Sequence, residues 1–197
     1  SSRINQKLIK KFDECWVPDV EGEPNLSGKL GHVNNRSLNI KYIGSISRFN
    51  KLAVTNKYNL MVLLSGPEPQ RTLLEDQLLK ELINFKGKVL FVRGVVEPKQ
   101  TKIKKDNIIL VNFMQSNELE QAIAESELIL SRSGYSTLLD LSRMGKNAFF
   151  IPTPGQFEQE YLATRLTELG LVPSCTQDKF SIEKIKDIDH YKGLKPL

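Results

Sequence analysis

From residue 60 onward the chain repeats one pattern, a short apolar run followed by a longer amphipathic stretch, and that alternation constrains the fold more than any other feature. Residues 60–64 (LMVLL), 88–92 (KVLFV), 108–111 (IILV), 127–130 (ELIL) and 148–151 (AFFI) are continuous apolar runs rather than alternating ones. Strands covered on both faces read this way. Between them, residues 70–85 place Leu74, Leu78 and Leu82 on one stripe, with Pro69 at the entry and Gly87 beyond the end, which predicts a helix. Ser116 can cap a second helix running to about Glu125. Further helices are expected over residues 135–144 and 158–169, the last closed by Gly170. The order of elements predicts an α/β protein with a doubly wound, mostly parallel, Rossmann-like sheet.

The first fifty residues break the rhythm. Residues 7–12 read as the end of a helix, 14–17 and 40–43 as short strands, 21–32 as a Gly/Pro/Ser-containing loop, and the stretch from Gly44 through Phe49 as a linker. A strand with a loop has no core of its own, so residues 1–50 are expected to be the remnant of another domain plus a hinge, and 51–197 the main domain. The first residue is Ser1, so a leader peptide cannot be judged.

Composition narrows the class. With 40% hydrophobic and 26% charged residues among 197, the chain is globular, not disordered or fibrous. No uncharged stretch approaches the roughly 18 apolar residues of a membrane span. Cys15 and Cys175, far apart in the chain, suit reduced thiols and a cytoplasmic location. The net charge of +5 is confined to residues 1–60, which hold 10 Lys/Arg and 5 Asp/Glu; the remainder holds 18 of each. A solvated basic face and an anionic partner both account for the bias. Nucleic acid is not expected, because no basic run is interleaved with aromatics.

In an open parallel sheet ligands bind beyond the carboxyl ends of the strands. Two small-residue turns stand there: Ser65-Gly66-Pro67 after the first run, and Ser131-Arg132-Ser133-Gly134 after the fourth. Glycine lets backbone approach a ligand closely, and helix-start N–H groups attract phosphate. Neither turn is a Walker A motif or a complete GxGxxG. Asp140, six positions or about 9 Å along the helix that follows Gly134, is spaced to grip a ribose while the helix start holds a phosphate. A third segment, 151–160 (IPTPGQFEQE), brings Glu158 and Gln159 to the same edge. Asp187 and Asp189 have the spacing of a metal-binding Asp-x-Asp but flanks of a surface helix, and His32 and His190 lack Cys partners, so no metal site is expected.

Residues 131–163, SRSGYSTLLDLSRMGKNAFFIPTPGQFEQEYLA, resemble the donor-binding signature of MurG-like glycosyltransferases of the GT-B fold. Arg-Ser-Gly, a Thr, an acid, a Gly before the next strand, IP-x-P and a Gln-containing helix recur in that order. The resemblance extends more loosely over residues 60–185. It implies that the chain is the C-terminal half of such an enzyme, that residues 1–50 are the end of its acceptor domain, and that the general base lies on the N-terminal domain. It further implies that Gly66 and the Ser133-Gly134 helix start hold a diphosphate, with Thr137 near phosphate and sugar. Asp140 then takes the place of a ribose-binding glutamate, Phe113 and Met114 form part of a uracil pocket, and Gln159 with Glu158 contacts the sugar.

The function so implied is transfer of a sugar from a nucleotide-sugar donor, a UDP-sugar, to an acceptor hydroxyl. The acceptor would be of the lipid-linked kind that family members use, with no cofactor and no obligatory metal. Peripheral contact with the cytoplasmic face of a membrane would involve Lys7, Lys10, Lys11, Lys29, Arg36, Lys41 and Arg48. Glu158 and Leu162 stand where peptidoglycan enzymes carry a glutamine and an asparagine, so the sugar need not be theirs. A nucleotide-sugar epimerase and a non-catalytic nucleotide-sugar-binding module are the alternatives.

Overall fold

A computed structural model describes residues 7–33 and 38–196. Its body is a six-stranded sheet of β3 (Tyr58–Leu63), β4 (Val89–Val92), β5 (Lys102–Lys105), β6 (Ile108–Val111), β7 (Ser126–Ser131) and β8 (Asn147–Phe150), in the order β5-β6-β4-β3-β7-β8. All neighbours are parallel except β5, which pairs antiparallel with β6. The helices are α1 (Gln70–Glu81), α2 (Ser116–Ala124), α3 (Tyr135–Met144) and α4 (Phe157–Glu168).

The continuous apolar runs are continuous because helices cover both sheet faces. Successive strand side chains point to opposite sides, so Leu60, Val62 and Leu64 pack against Leu74 and Leu78 of α1 and Leu82 just beyond it. Met61 and Ile129 face the other layer, where Ile123 of α2, Leu138 and Leu141 of α3, and Leu162 and Leu166 of α4 meet them. The predicted leucine stripe of α1 is thus its buried face, although the α-helix stops at Glu81 and its last turn, Leu82–Asn84, is a 3-10 helix.

From β3 the chain winds outward through β4 to β6, then returns to place β7 on the other flank of β3. The sheet therefore reverses direction between β3 and β7, where Leu63 pairs with Ser131. Loops leaving this point go to opposite faces and open a crevice between them. Gly94, after β4, holds a left-handed φ of 72° with its backbone against Leu64, where an added Cβ would lie 2.4 Å from the Leu64 carbonyl oxygen. Only glycine closes the loops after β3 and β4 onto each other.

One expectation is corrected, and two features go beyond the sequence reading. Ser116 does not cap α2; it is the helix's first residue, Gln115 occupies the cap position, and no side chain caps it. Strand β5 (KIKK) went unread because all four residues are exposed, leaving no apolar signal, and its turn runs through Asp106 at φ 53°. Both short strands expected in the first fifty residues are present. Cys15–Val17 (β1) and Ile40–Tyr42 (β2) pair in parallel, and Leu26 and Phe49 are buried in the main core.

The intervening loop is fixed from within and from outside. The buried Asp19 carboxylate accepts N–H bonds from Val20 and Ser27 at 2.9 and 2.7 Å. Burial opposes its charge, but these bonds prevail and hold the carboxyl below the usual aspartate range. Outside contacts tie the loop to α4: the Lys29 N–H donates to the Tyr161 hydroxyl at 2.8 Å, and Arg165 donates to the Asn25 carbonyl at 3.1 Å.

Candidate functional site

Five parallel strands end at the same sheet edge, and the loops after β3, β6, β7 and β8, with the helices they lead into, carry every site residue read from the sequence. They are not equivalent. Helix α1 consumes its own first amides: Arg71 N–H bonds the Pro67 carbonyl at 3.2 Å, Leu73 N–H that of Pro69 at 3.0 Å, and Thr72 N–H the Glu68 carboxylate at 3.2 Å. Glu68 also meets the Arg71 guanidinium, while Glu75 bonds Arg71 at 2.7 Å and Arg93 at 2.6 Å. The helix start beside Gly66 thus carries its own carboxylate. Gly66 itself, at φ 106°, has open space around it and offers backbone access only.

Helix α3 is the opposite case. Gly134 is its N-cap, no side chain caps it, and its first turn has no acid. Its first helical bond from outside is Leu138 N–H to the Gly134 carbonyl at 2.9 Å, and the amides of Tyr135, Ser136 and Thr137 have no acceptor among the described residues. Unsatisfied N–H groups at a helix's positive end form an anion site. Of the two turns singled out in the sequence, the second is the one that presents unpaired helix-start amides among the described residues.

Thr137 and Asp140, one turn apart on α3, line a cavity of about 390 Å³ with Arg48, Phe49 and Leu63. The Asp140 carboxylate accepts a 2.6 Å bond from the Ser47 hydroxyl and stands 3.6 Å from the Arg48 guanidinium. Arg48 also donates to the Ser116 hydroxyl at 3.4 Å and lies over the Phe49 ring. It thereby links this cavity to a second, of about 750 Å³, at the start of α2, lined by Phe113, Ser116 and Glu118. Met114 packs on the core beside it.

Ser133 and Gln159 turn inward. The Ser133 hydroxyl donates to the Gln159 carbonyl at 2.8 Å, clamping α4 to the start of α3. The Gln159 side-chain oxygen accepts the Thr153 N–H at 2.8 Å, leaving the amide's nitrogen end for other contacts. The Glu158 side chain is exposed and has no hydrogen-bond partner among the described residues.

Two further side chains are brought to the site by tertiary packing. Arg48 was placed only in a linker and a basic face; nothing local marks its approach to Asp140 across 92 positions. Arg132, inside the quoted motif, is 2% exposed and donates to the carbonyls of Ile151, Pro152 and Gln70 and to the Gln177 side-chain oxygen, at 2.9 to 3.2 Å. Burial lowers its pKa to about 10, which leaves it protonated at neutral pH. Among the described residues no group of three or more His, Cys, Asp or Glu is placed to hold a metal ion, and no helix is long and apolar enough to cross a membrane. Arg36, in the basic set, lies outside the described residues.

Residues 69–188 match the model of the glycosyltransferase family 28 C-terminal domain. The chain belongs to that family. The matched span runs from the N-cap of α1 to the 3-10 helix Ile182–His190 and takes in every site loop except that of Gly66. The family 28 chain is 26% identical, over 98% of its length, to the UDP-N-acetylglucosamine–N-acetylmuramyl-(pentapeptide) pyrophosphoryl-undecaprenol N-acetylglucosamine transferase of Haemophilus ducreyi, and covers 56% of that protein. It is 33% identical to the enzyme of the same name from Methylobacterium radiotolerans over 34% of this chain and 19% of the other. The family 28 chain thus spans about half the length of its Haemophilus relative.

Among solved structures, the glycosyltransferase SnogD from Streptomyces nogalater superposes with a TM-score of 0.52 at 15% identity, over 73% of this chain and 38% of that one. ALG13 does so with 0.51 at 16%, over 72% and 89%. These likenesses establish the fold: a mostly parallel α/β sheet of the kind found in GT-B glycosyltransferases.

Proposed function

We propose that this family 28 chain is the donor-binding half of a glycosyltransferase, taking a UDP-sugar and delivering the sugar to an acceptor hydroxyl. One observation carries the reading: the three free amides at the start of α3 adjoin a cavity holding Thr137, Asp140 and Arg48, which Arg48 joins to a second cavity at Phe113. A diphosphate at the amides, a ribose at Asp140 and a base at Phe113 and Met114 follow that line in order. As the glycosidic bond breaks, negative charge grows on the departing diphosphate. Helix-start N–H groups already aimed there stabilise it without reorganisation, as an oxyanion site does, and no obligatory metal is required.

Residues 1–50 are read as the end of the acceptor domain with its hinge, and the general base is assigned outside this chain. A thermal-shift screen of nucleotide sugars tests the reading, because a ligand that binds only the folded state raises its melting temperature. UDP-sugars are expected to stabilise the chain and GDP-sugars not; no shift with any nucleotide sugar removes the proposal. Gln159 and Glu158 are assigned to the sugar. Gln159→Ala is accordingly expected to weaken UDP-sugar binding by roughly 1 kcal/mol while leaving UDP nearly unchanged in calorimetry, and equal losses for both would take Gln159 out of the sugar pocket.

The acceptor is proposed to be lipid-linked and met at the cytoplasmic membrane face through the basic first third. Its cations do not share one contact: Lys29 lies over Tyr161, Lys41 over Trp16, and Arg48 turns toward Asp140. Flotation of the full-length protein with anionic and neutral liposomes at low salt should show a preference for anionic vesicles, and no preference excludes this mode of attachment. Transfer in the same preparation should survive EDTA.

A further inference from the structure

The cavity beside Phe113 is walled on one side by a loop that the sequence reading passed over, residues 93–101 between β4 and β5. This loop is pinned by Asn112, the first residue after β6 and only 2% exposed. Its side-chain oxygen accepts the Thr101 N–H at 2.8 Å and the Phe113 N–H at 3.0 Å. Its side-chain nitrogen donates to Glu97 at 2.8 Å and to the Lys99 carbonyl at 2.9 Å. Three of the four hydrogen-bonding positions of this buried amide are therefore spent on holding the loop against the end of β6, and the fourth fixes the adjacent Phe113 N–H.

The residue so held at the cavity is Gln100. Its side-chain nitrogen donates to the Phe113 carbonyl at 2.8 Å and to the Glu118 carboxylate. Both partners are acceptors, so the orientation of the amide is set by its surroundings: the nitrogen must face them. The side-chain oxygen is then the free end, with no donor among the described residues, and Gln100 lines the cavity together with Pro98, Phe113 and Glu118.

We infer that Gln100, oriented by Phe113 and Glu118 and positioned by Asn112, reads the nucleobase of the donor through its side-chain oxygen and selects uracil over cytosine. The inference rests on the donor-site reading above. Uracil carries a hydrogen on N3; cytosine carries a lone pair there. An amide oxygen whose nitrogen end is held by Phe113 and Glu118 accepts from the N3–H of uracil and faces a lone pair in cytosine, so it favours the first.

Calorimetry of the chain with UDP and CDP tests this. The unmodified chain is expected to prefer UDP by roughly tenfold or more. Gln100→Leu removes the acceptor from an exposed position and should bring the two affinities within about threefold of each other, chiefly by loss of UDP binding. Gln100→Glu keeps the size but sets a carboxylate against Glu118 and the Phe113 carbonyl, so it should likewise lose the preference. Asn112→Ala, which frees the loop, should reduce the UDP-to-CDP ratio, a change that general destabilisation would not produce. Failure of the unmodified chain to bind either nucleotide overturns the donor reading and this inference together. UDP binding with an unchanged ratio in Gln100→Leu and Gln100→Glu overturns the inference alone.

Discussion

Replacing Arg132 with methionine is expected to lower the free energy of unfolding by about 3 kcal/mol or more, the largest stability loss anticipated for a single substitution at this site. Methionine fills much of the volume and carries no donor. The carbonyls of Ile151, Pro152 and Gln70 and the Gln177 side chain would then lose a shared partner, the first two of them in the buried interior. Those acceptors belong to the end of β8, the start of α1 and the segment after α4, so the guanidinium fastens three separate pieces of chain beneath the α3 start. Lysine should recover only part of the loss, since one ammonium cannot span acceptors that a planar fork reaches on two sides. Urea denaturation followed by circular dichroism measures both variants; a loss below 1 kcal/mol for the methionine variant would mean that water enters and replaces the guanidinium.

Asp140→Ala is expected to weaken UDP binding by roughly 1.5 to 3 kcal/mol, a ten- to hundredfold change in dissociation constant, through lost charge-assisted bonds to the ribose hydroxyls. The carboxylate has a second occupation, because Ser47 donates to it and Arg48 lies beside it. A ribose must share Asp140 with Ser47 or displace it. Ser47→Ala separates the two functions. If Asp140 only tethers the linker, both variants should bind UDP alike; if it grips the ribose, Ser47→Ala retains UDP affinity or gains some, and Asp140→Ala alone loses it.

What could be read from the sequence follows physical lines. The central strands were legible because burial on both faces leaves unbroken apolar runs, and α1 because its leucines recur at spacing four. Strand β5 was not, since an exposed edge strand of lysines has neither pattern and its pairing depends on a neighbour. At the site, the Arg-Ser-Gly turn and Asp140 were legible as a strand-to-helix motif. That Glu68 neutralises the start of α1 was not: it depends on a carboxylate folding back over its own helix, one of several conformations the segment Ser-Gly-Pro-Glu-Pro allows. The contacts of Arg48 with Asp140, and of Gln100 with Phe113 and Glu118, are products of tertiary packing with no local sign.

Strands β3 and β7 meet only after the chain has travelled out to the sheet edge and back, so their pairing is the most entropically costly closure in the sheet. The crevice lies on that seam, with the Gly66 turn on one lip and the α3 start on the other. On the donor reading proposed above, a ligand at the α3 start, in the cavity that Leu63 of β3 also lines, meets both sides of the seam only when it is zipped. Occupancy by the proposed donor and cohesion of the two half-sheets would then be a single coupled equilibrium, with nucleotide a reversible clasp on the least local joint of the fold.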